Sequence, residues 1–176
     1  LLCHYTGNII IGLLLRNYYP SPKEKEKVSL IKAINAMHQK RLKNKESFGE
    51  IITNSILHSI DTLLLILGAM TMCLVITTII DNNLNLNSVL QSLLNGGVEM
   101  TQGLKYISME DIPLKLKCVL SVMILSFGGL SVHMQIVSIL SDTKIKYLPF
   151  LLSRILHSII SGLLLFIFFD AWIDLF

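Results

Sequence analysis

Charge is the scarcest property of this sequence. Only 15% of its 176 residues are Asp, Glu, Lys or Arg, against about 25% in an average soluble domain. Aromatic residues make up only 7%, while hydrophobic residues reach 52%, so the apolar excess is aliphatic. Mean hydropathy is +0.63. This balance excludes an ordinary water-soluble domain and predicts an integral membrane protein.

Cysteine and catalytic motifs are also scarce. Cys3, Cys73 and Cys118 lie in apolar surroundings without a CxxC pair, which favours buried thiols over a disulfide or a metal site. The sequence has no HExxH or GxSxG motif, which argues against an intramembrane enzyme. We expect neither a cofactor nor a catalytic centre.

Apolar segments recur along the chain, and none alternates as a strand would. We expect four of them to cross a membrane, at residues 1–15, 62–80, 116–140 and 150–172, since about 20 apolar residues span the hydrocarbon. The sequence opens inside the first run, "LLCHYTGN", so we expect it to be the carboxyl-terminal part of a longer protein. The fold class predicted is an all-α, polytopic membrane bundle.

A basic segment separates residues 1–19, a membrane helix, from a membrane domain at 48–176. Residues 20–47 should form a cytoplasmic loop by the positive-inside rule, with an amphipathic helix on the bilayer surface. Nucleic acid is not expected as a partner, because no aromatic residues are interleaved. In "SFGE", Ser47 and Glu50 have the form of a capping box that begins the next helix. The basic residues predicted to contact the membrane surface or a partner are Lys23, Lys25, Lys27, Lys32, Lys40, Arg41, Lys43 and Lys45.

Two stretches interrupt the apolar pattern with glycine pairs. In "NGGVEMTQG", a break at Gly96-Gly97 predicts a re-entrant hairpin with Glu99 near its tip; the alternative is an amphipathic helix and turn outside the membrane. In "SFGGLSVHMQ", a break is predicted at Gly128-Gly129, although close helix packing also uses small residues. We predict that both stretches line one polar cavity for a small polar solute or ion, with candidate ligands Glu99, Thr101, Gln102, Ser126, Gly128, Gly129, Ser131, His133 and Gln135.

Two basic residues near the start of the last apolar segment have a simpler interpretation. Arg154 and His157 stand where basic side chains extend to lipid headgroups. We therefore expect them to face the membrane interface.

The stretch "LSFGGLSVHMQIVSILSDTKIKYLPFLLSRILHSIIS", with "VEMTQGLKYIS" upstream, resembles sporulation integral membrane proteins of the YlbJ type. These belong to the nucleoside-recognition, or Gate, group, whose architecture is similar to parts of concentrative nucleoside transporters. Within that group the E-x-T-x-G form matches Glu99, Thr101 and Gly103, and the broken-helix form matches 127–135. The resemblance implies a Gate-like domain at 48–176, a missing amino-terminal half with a second such unit, and a role in forming the spore envelope, particularly its cortex.

Two functions from different classes remain open. The first is a transporter-like protein that moves or senses a small polar solute, which the paired interruptions favour. The second is a non-transporting assembly factor for spore envelope proteins, which the basic loop favours because it would hold anionic lipid or an acidic partner.

Overall fold

The computed structural model describes residues 1–18, 29–43, 46–84, 86–141, 143 and 145–173. Every regular element in these ranges is an α-helix, which confirms the predicted class. The helices are α1 (Leu2–Leu15), α2 (Leu30–Lys43), α3 (Phe48–Asn83), α4 (Ser88–Val98), α5 (Met100–Met109), α6 (Leu114–Phe127), α7 (Gly129–Leu140) and α8 (Tyr147–Ile173).

Local sequence signals set several helix ends. The predicted capping box at the start of α3 is confirmed, since the Ser47 amide donates to Glu50 Oε2 at 2.6 Å and the Glu50 amide donates to Ser47 Oγ at 3.3 Å. Asn87 caps α4 by accepting from the Val89 amide at 3.0 Å. Pro113 stands just before α6, where its missing N–H leaves no hydrogen bond unmade.

The chain divides into two compact units, one of residues 1–16 and 65–176 and the other of residues 17–64. In the first unit, α8 packs against α6 and α1, while α5 packs against α4 and α6. The helix α4 also contacts α7. A buried stripe of Ala69, Cys73 and Thr77 repeats every four residues along the second half of α3, as one helical face does.

Many polar side chains are buried and many large apolar side chains are exposed, which departs from the pattern of a water-soluble protein. Leu63, Leu64, Leu67 and Ile167 are all more than 60% exposed, as lipid-facing residues are. Among the described residues, the largest side chains below 2% exposure are mostly polar, namely Ile107, His133, His157, Glu99, Asn95, Thr77, Cys73, Ser92, Ser126, Ser131 and Ser161. The chain is therefore an integral membrane protein with a polar interior.

Three helical segments among the described residues are long and apolar enough to cross a membrane: Phe48–Asn83, Leu114–Leu140 and Tyr147–Ala171. The apolar run at 1–15 forms α1, which has 14 residues and a length of about 21 Å. The interpretation of this run as the end of a membrane helix that starts upstream stays a prediction.

Candidate functional site

The stretch "SFGGLSVHMQ" contains a helix break at the position that the sequence predicts. Gly128 has φ +92° and ψ −8°, and Gly129 has φ +69°. This left-handed region is open to glycine and strained for other residues. Gly128 ends α6, its amide donating to the Ile124 carbonyl at 2.9 Å, and α7 starts at the next residue. The predicted break at Gly128-Gly129 is confirmed.

The break in the first stretch is two residues later than predicted. The helix α4 continues through Gly96 and Gly97 to Val98, so the predicted break at Gly96-Gly97 is wrong. Glu99 is the junction instead, with φ −138° and ψ 112°, extended backbone between α4 and α5. This conformation is open to any residue, which is why glycine does not mark it. Whether the pair of helices re-enters the membrane stays a prediction.

The glycines around Glu99 serve the close approach of helices. A Cβ on Gly103 would collide with the backbone of Gly96, so α4 and α5 cross at this pair. On its other side Gly96 faces α6, and a Cβ there would meet Ile124 Cδ1 at 2.8 Å. This is the small-residue packing that membrane helices use, and it accounts for Gly96 without a break.

The two helix junctions meet backbone to backbone. A Cβ added to Gly129 would lie 3.0 Å from the Met100 nitrogen and 3.1 Å from the carbonyl oxygens of Gly96 and Val98. The amino-terminal ends of α5 and α7 therefore lie side by side. Both ends carry the positive pole of a helix dipole.

The carboxylate of Glu99 lies between these two helix ends and is 1% exposed. Its Oε2 accepts hydrogen bonds from the Thr101 hydroxyl and, at 3.0 Å, from the backbone amide of Gln102. Its Oε1 accepts from the Ser131 hydroxyl at 3.4 Å. Three hydrogen-bond donors and the amino-terminal ends of two helices thus surround a buried carboxyl group that would be very unfavourable without partners.

A second carboxylate, Asp81 of α3, connects α3 to both α4 and α5. Asp81 Oδ1 accepts from Gln91 Nε2 at 2.6 Å and Asn95 Nδ2 at 2.7 Å, and Oδ2 accepts from the Tyr106 hydroxyl at 3.1 Å. The side-chain Nε2 of Gln102 in turn donates to the Tyr106 hydroxyl at 3.1 Å. Burial raises the pKa of Tyr106, and the Asp81 carboxylate acts in the same direction, so the phenol remains a donor at neutral pH.

A polar cavity of about 540 Å³ adjoins Asp81, with Gln91, Tyr106, Glu110 and Asp111 among its lining residues. Within the described part of the chain, two amide oxygens of this region, Gln91 Oε1 and Asn95 Oδ1, are buried without a hydrogen-bond partner. An unmade hydrogen bond of this kind costs about 1–3 kcal/mol. Gln91 lines the cavity, whereas Asn95 is fully buried beside it.

The carbonyl freed by the second break has two donors. Arg154 Nε and His133 Nε2 each lie 3.2 Å from the Phe127 oxygen. With Nε2 donating, His133 Nδ1 accepts from the Tyr147 hydroxyl at 2.7 Å. The break is thus capped on its carboxyl side by a guanidinium and an imidazole, as an opened helix in a membrane requires.

Arg154 also begins a chain of contacts towards α1. Its Nη1 lies 3.3 Å from His157 Nδ1, and His157 Nε2 donates to the His4 carbonyl at 2.8 Å. The His4 Nδ1 and the Ser126 hydroxyl are 2.9 Å apart. His157 is 1% exposed, so the expectation that Arg154 and His157 face the headgroups is wrong. Arg154 turns inward to the Phe127 carbonyl at the break, and His157 turns inward to the His4 carbonyl of α1.

The predicted site residues therefore fall into two groups. Glu99, Thr101, Gln102 and Ser131 are joined by hydrogen bonds at the two junctions. Ser126 and His133 belong to the contacts around Arg154, and Gln135 is half-buried one helical turn beyond Ser131.

Several residues of these clusters were not among the predicted site residues: Asp81, Asn95, Tyr106, Arg154, His157 and His4. Asp81 is the first charged residue after the uncharged run at 62–80, which is the signal in the sequence that points to it.

The basic residues lie in the other unit. Lys32, Lys40, Arg41 and Lys43 are exposed on α2, whereas Lys23, Lys25, Lys27 and Lys45 fall outside the described residues. The cysteines are free thiols, Cys3 and Cys73 buried and Cys118 half-buried.

No protein-family model and no solved structure matches the chain. One curated relative is the sporulation integral membrane protein YlbJ of Bacillus subtilis (strain 168), 29% identical over 97% of this chain and 49% of the relative. The chain thus spans about half the length of the curated relative that it matches. The resemblance inferred from the residues is confirmed: this multi-pass membrane protein is similar, over nearly its whole length, to a sporulation integral membrane protein of the YlbJ type.

Proposed function

We propose that the chain belongs to a sporulation-associated membrane protein of transporter type that moves or senses a small polar solute, a nucleoside-like ligand or an ion, and that spore envelope and cortex formation require it. The observation that carries the proposal is the contact between two interrupted helices around a buried carboxylate. The relative is about twice as long, so the proposal includes a further membrane unit that completes the solute path.

The junctions support this function for a physical reason. A break in a membrane helix frees backbone groups that must be covered by protein or by a water-filled cavity. Here Gly128 breaks a span, and Glu99 separates α4 from α5. Transporters place paired helix ends of this kind near the membrane midplane, where positive amino-terminal ends meet anionic groups. In this chain Glu99 itself occupies that position.

The polar cavity supports an aqueous approach to the junctions. It opens beside Asp81, which is hydrogen-bonded to Tyr106, and Tyr106 is hydrogen-bonded to Gln102. The backbone amide of Gln102 donates to the Glu99 carboxylate, so these bonds connect the cavity to the junction. The polar side chains that line it, among them Ser88, Gln91 and Glu110, suit a solute with N–H or O–H groups. The proposal involves no catalytic step.

Uptake into proteoliposomes that contain this chain together with the further membrane unit tests the proposal with three probes of different chemistry: uridine, acetate and Rb⁺. We expect one of them to enter faster than into empty liposomes, and we expect Glu99→Ala and Ser131→Leu to abolish that uptake. Ser138→Ala, at an exposed position of the same helix α7, is the matched control and should retain it. Equal uptake by the wild type and both junction variants would contradict transport through this site.

The alternative function, an assembly factor for envelope proteins, is favoured by the exposed basic helix α2. It predicts that neutralising Lys32, Lys40, Arg41 and Lys43 blocks spore maturation in a complemented sporulating host. It also predicts that Glu99→Ala and His133→Leu leave maturation intact. The opposite pattern would favour the solute path.

A further inference from the structure

The helix α2 exposes an apolar stripe that no described residue of its own unit covers. Leu30, Ile34 and Met37 repeat at helical spacing and are 78%, 56% and 73% exposed, with Ile31 beside them at 71%. No residue of α2 is buried. A helix of 14 residues is of marginal stability in water by itself, so this stripe needs an apolar surface to lie against.

The charge of α2 identifies which surface that is. The helix carries four basic residues and no acidic one, and the basic residues are Lys32, Lys40, Arg41 and Lys43. Basic residues in the last turn also stabilise the carboxyl end of a helix, but that effect explains neither Lys32 nor the exposed stripe. An apolar stripe bordered by cations is the pattern of a helix that lies in an anionic membrane surface.

A cleft in the same unit adds a more specific feature. Its volume is about 640 Å³, and it is lined by Lys40 and Arg41 together with Met37, Phe48 and Ile51, with Glu46 in its wall. The Glu46 carboxylate accepts a hydrogen bond from Asn54 Nδ2 at 3.2 Å. Two cations and three apolar side chains in one cleft are suited to a phosphate headgroup and the first part of its acyl chain.

The position of α2 along the chain places it within reach of a bilayer. The apolar helix α1 ends at Leu15, and the membrane-spanning helix α3 starts at Phe48, five residues after α2 ends at Lys43. We propose that α2 docks on anionic phospholipid of the membrane that α3 crosses, with one headgroup bound in the cleft at Lys40 and Arg41. This docking is independent of the solute path.

Hydrogen–deuterium exchange of the full chain tests the proposal without a label. The protein is placed in nanodiscs of phosphatidylcholine alone, or of phosphatidylcholine mixed with phosphatidylglycerol. We expect amides of 30–43 to exchange more slowly in the mixed discs, and high salt to remove part of the difference because it screens the charges. Equal exchange in both discs, whether fast or slow, would overturn anionic-lipid docking: fast exchange would mean that the stripe stays in water, and slow exchange that protein or neutral lipid covers it.

Substitutions separate the charge from the stripe. Neutralising one basic residue should weaken docking about fivefold, the equivalent of about 1 kcal/mol. In the variant with Lys32→Gln, Lys40→Gln, Arg41→Gln and Lys43→Gln, the amides of 30–43 should exchange in the mixed discs at the rate seen in phosphatidylcholine alone. Ile31→Gln with Ile34→Gln should do the same through loss of apolar contact. Lys105→Gln, an exposed lysine on α5, should leave exchange of 30–43 unchanged, and an equal effect there would contradict the proposal.

Discussion

The hydroxyl of Ser131 donates a hydrogen bond to Oε1 of Glu99 across 3.4 Å, joining residues that lie 32 positions apart in the chain. Ser131 is the third residue of α7, and Glu99 directly precedes α5. Both side chains are 1% exposed. This bond connects the two helix junctions through side chains, beside the backbone contact at Gly129.

Ser131→Ala should destabilise the fold by about 1–3 kcal/mol, because it removes one of three donors to a buried carboxylate. Chemical denaturation in detergent measures the change. Ser138→Ala, on the exposed side of α7, is the matched control and should change the free energy of unfolding by less than about 0.5 kcal/mol. If both variants unfold alike, Ser131 does not support Glu99.

Gly129→Ala should destabilise the protein by about 1–3 kcal/mol or more, since a residue with a side chain is strained at φ +69°. Its Cβ would also press on the Met100 nitrogen at 3.0 Å. Gly68→Ala is the comparison, because that Cβ has no neighbour within 4 Å in the described structure. It should be neutral or stabilise α3 by up to about 1 kcal/mol. The same sign for both variants would contradict the junction geometry.

Gly97→Ala tests the corrected position of the first break. Gly97 lies inside α4 with no described atom within 4 Å of an added Cβ, so alanine should stabilise the helix by up to about 1 kcal/mol. Gly96→Ala should destabilise it, because its Cβ would meet the Ile124 side chain at 2.8 Å. Thermal unfolding of this adjacent pair should show shifts of opposite sign. A destabilising Gly97→Ala would restore the break at Gly96-Gly97.

Arg154 and His133 share one acceptor, the Phe127 carbonyl. Arg154→Met or His133→Leu alone leaves that carbonyl one donor, whereas the double variant leaves it neither. We therefore expect the double loss of stability to exceed the sum of the single losses by at least about 0.5 kcal/mol. A double-mutant cycle in detergent measures this coupling. Additive losses would show that the two side chains stabilise the fold independently.

The topology follows from the spans. If the basic loop is cytoplasmic and α4–α5 does not cross, the three spans after the loop place the carboxyl end outside the cytoplasm. The turn that contains Lys146, before α8, then lies on the cytoplasmic side. A reporter fused after Phe176 that is active only outside the cytoplasm should give a signal, and one inserted at Lys43 should not. Activity of a cytoplasm-dependent reporter at Phe176 would mean that α4–α5 crosses as well.

The two glycine pairs show how far the sequence leads. Gly128-Gly129 was predictable as a break because glycine is the residue that the required positive φ selects. Gly96-Gly97 has the same local signature, yet the helix continues, because Gly96 is required by its contacts with Gly103 and Ile124. The distinction depends on partners elsewhere in the chain, which a local pattern does not contain.

The interior contacts of Arg154 were unpredictable for a related reason. Its position near the start of α8 suggests the membrane interface. Its acceptors lie on α6 and on α8 itself, and the adjoining contact of His157 reaches α1, 153 residues away. The membrane class, the junction at Gly128 and the proximity of Ser131 to Glu99 were all within reach of the sequence. The Asp81 cluster required knowledge of how the end of α3 meets α4 and α5.

The glycine contact between the junctions has a mechanical consequence. A contact between side chains can adjust through a change of rotamer. The contact of Gly129 with the main chain at Met100, Gly96 and Val98 involves only backbone atoms, which have no rotamers to change. The paired helices α4–α5 and the start of α7 should therefore move together as one rigid body during any conformational cycle. Spin labels on α4 and α7 would keep a constant separation while their distances to other helices change. Alternation between two states would then occur around this block and not within it.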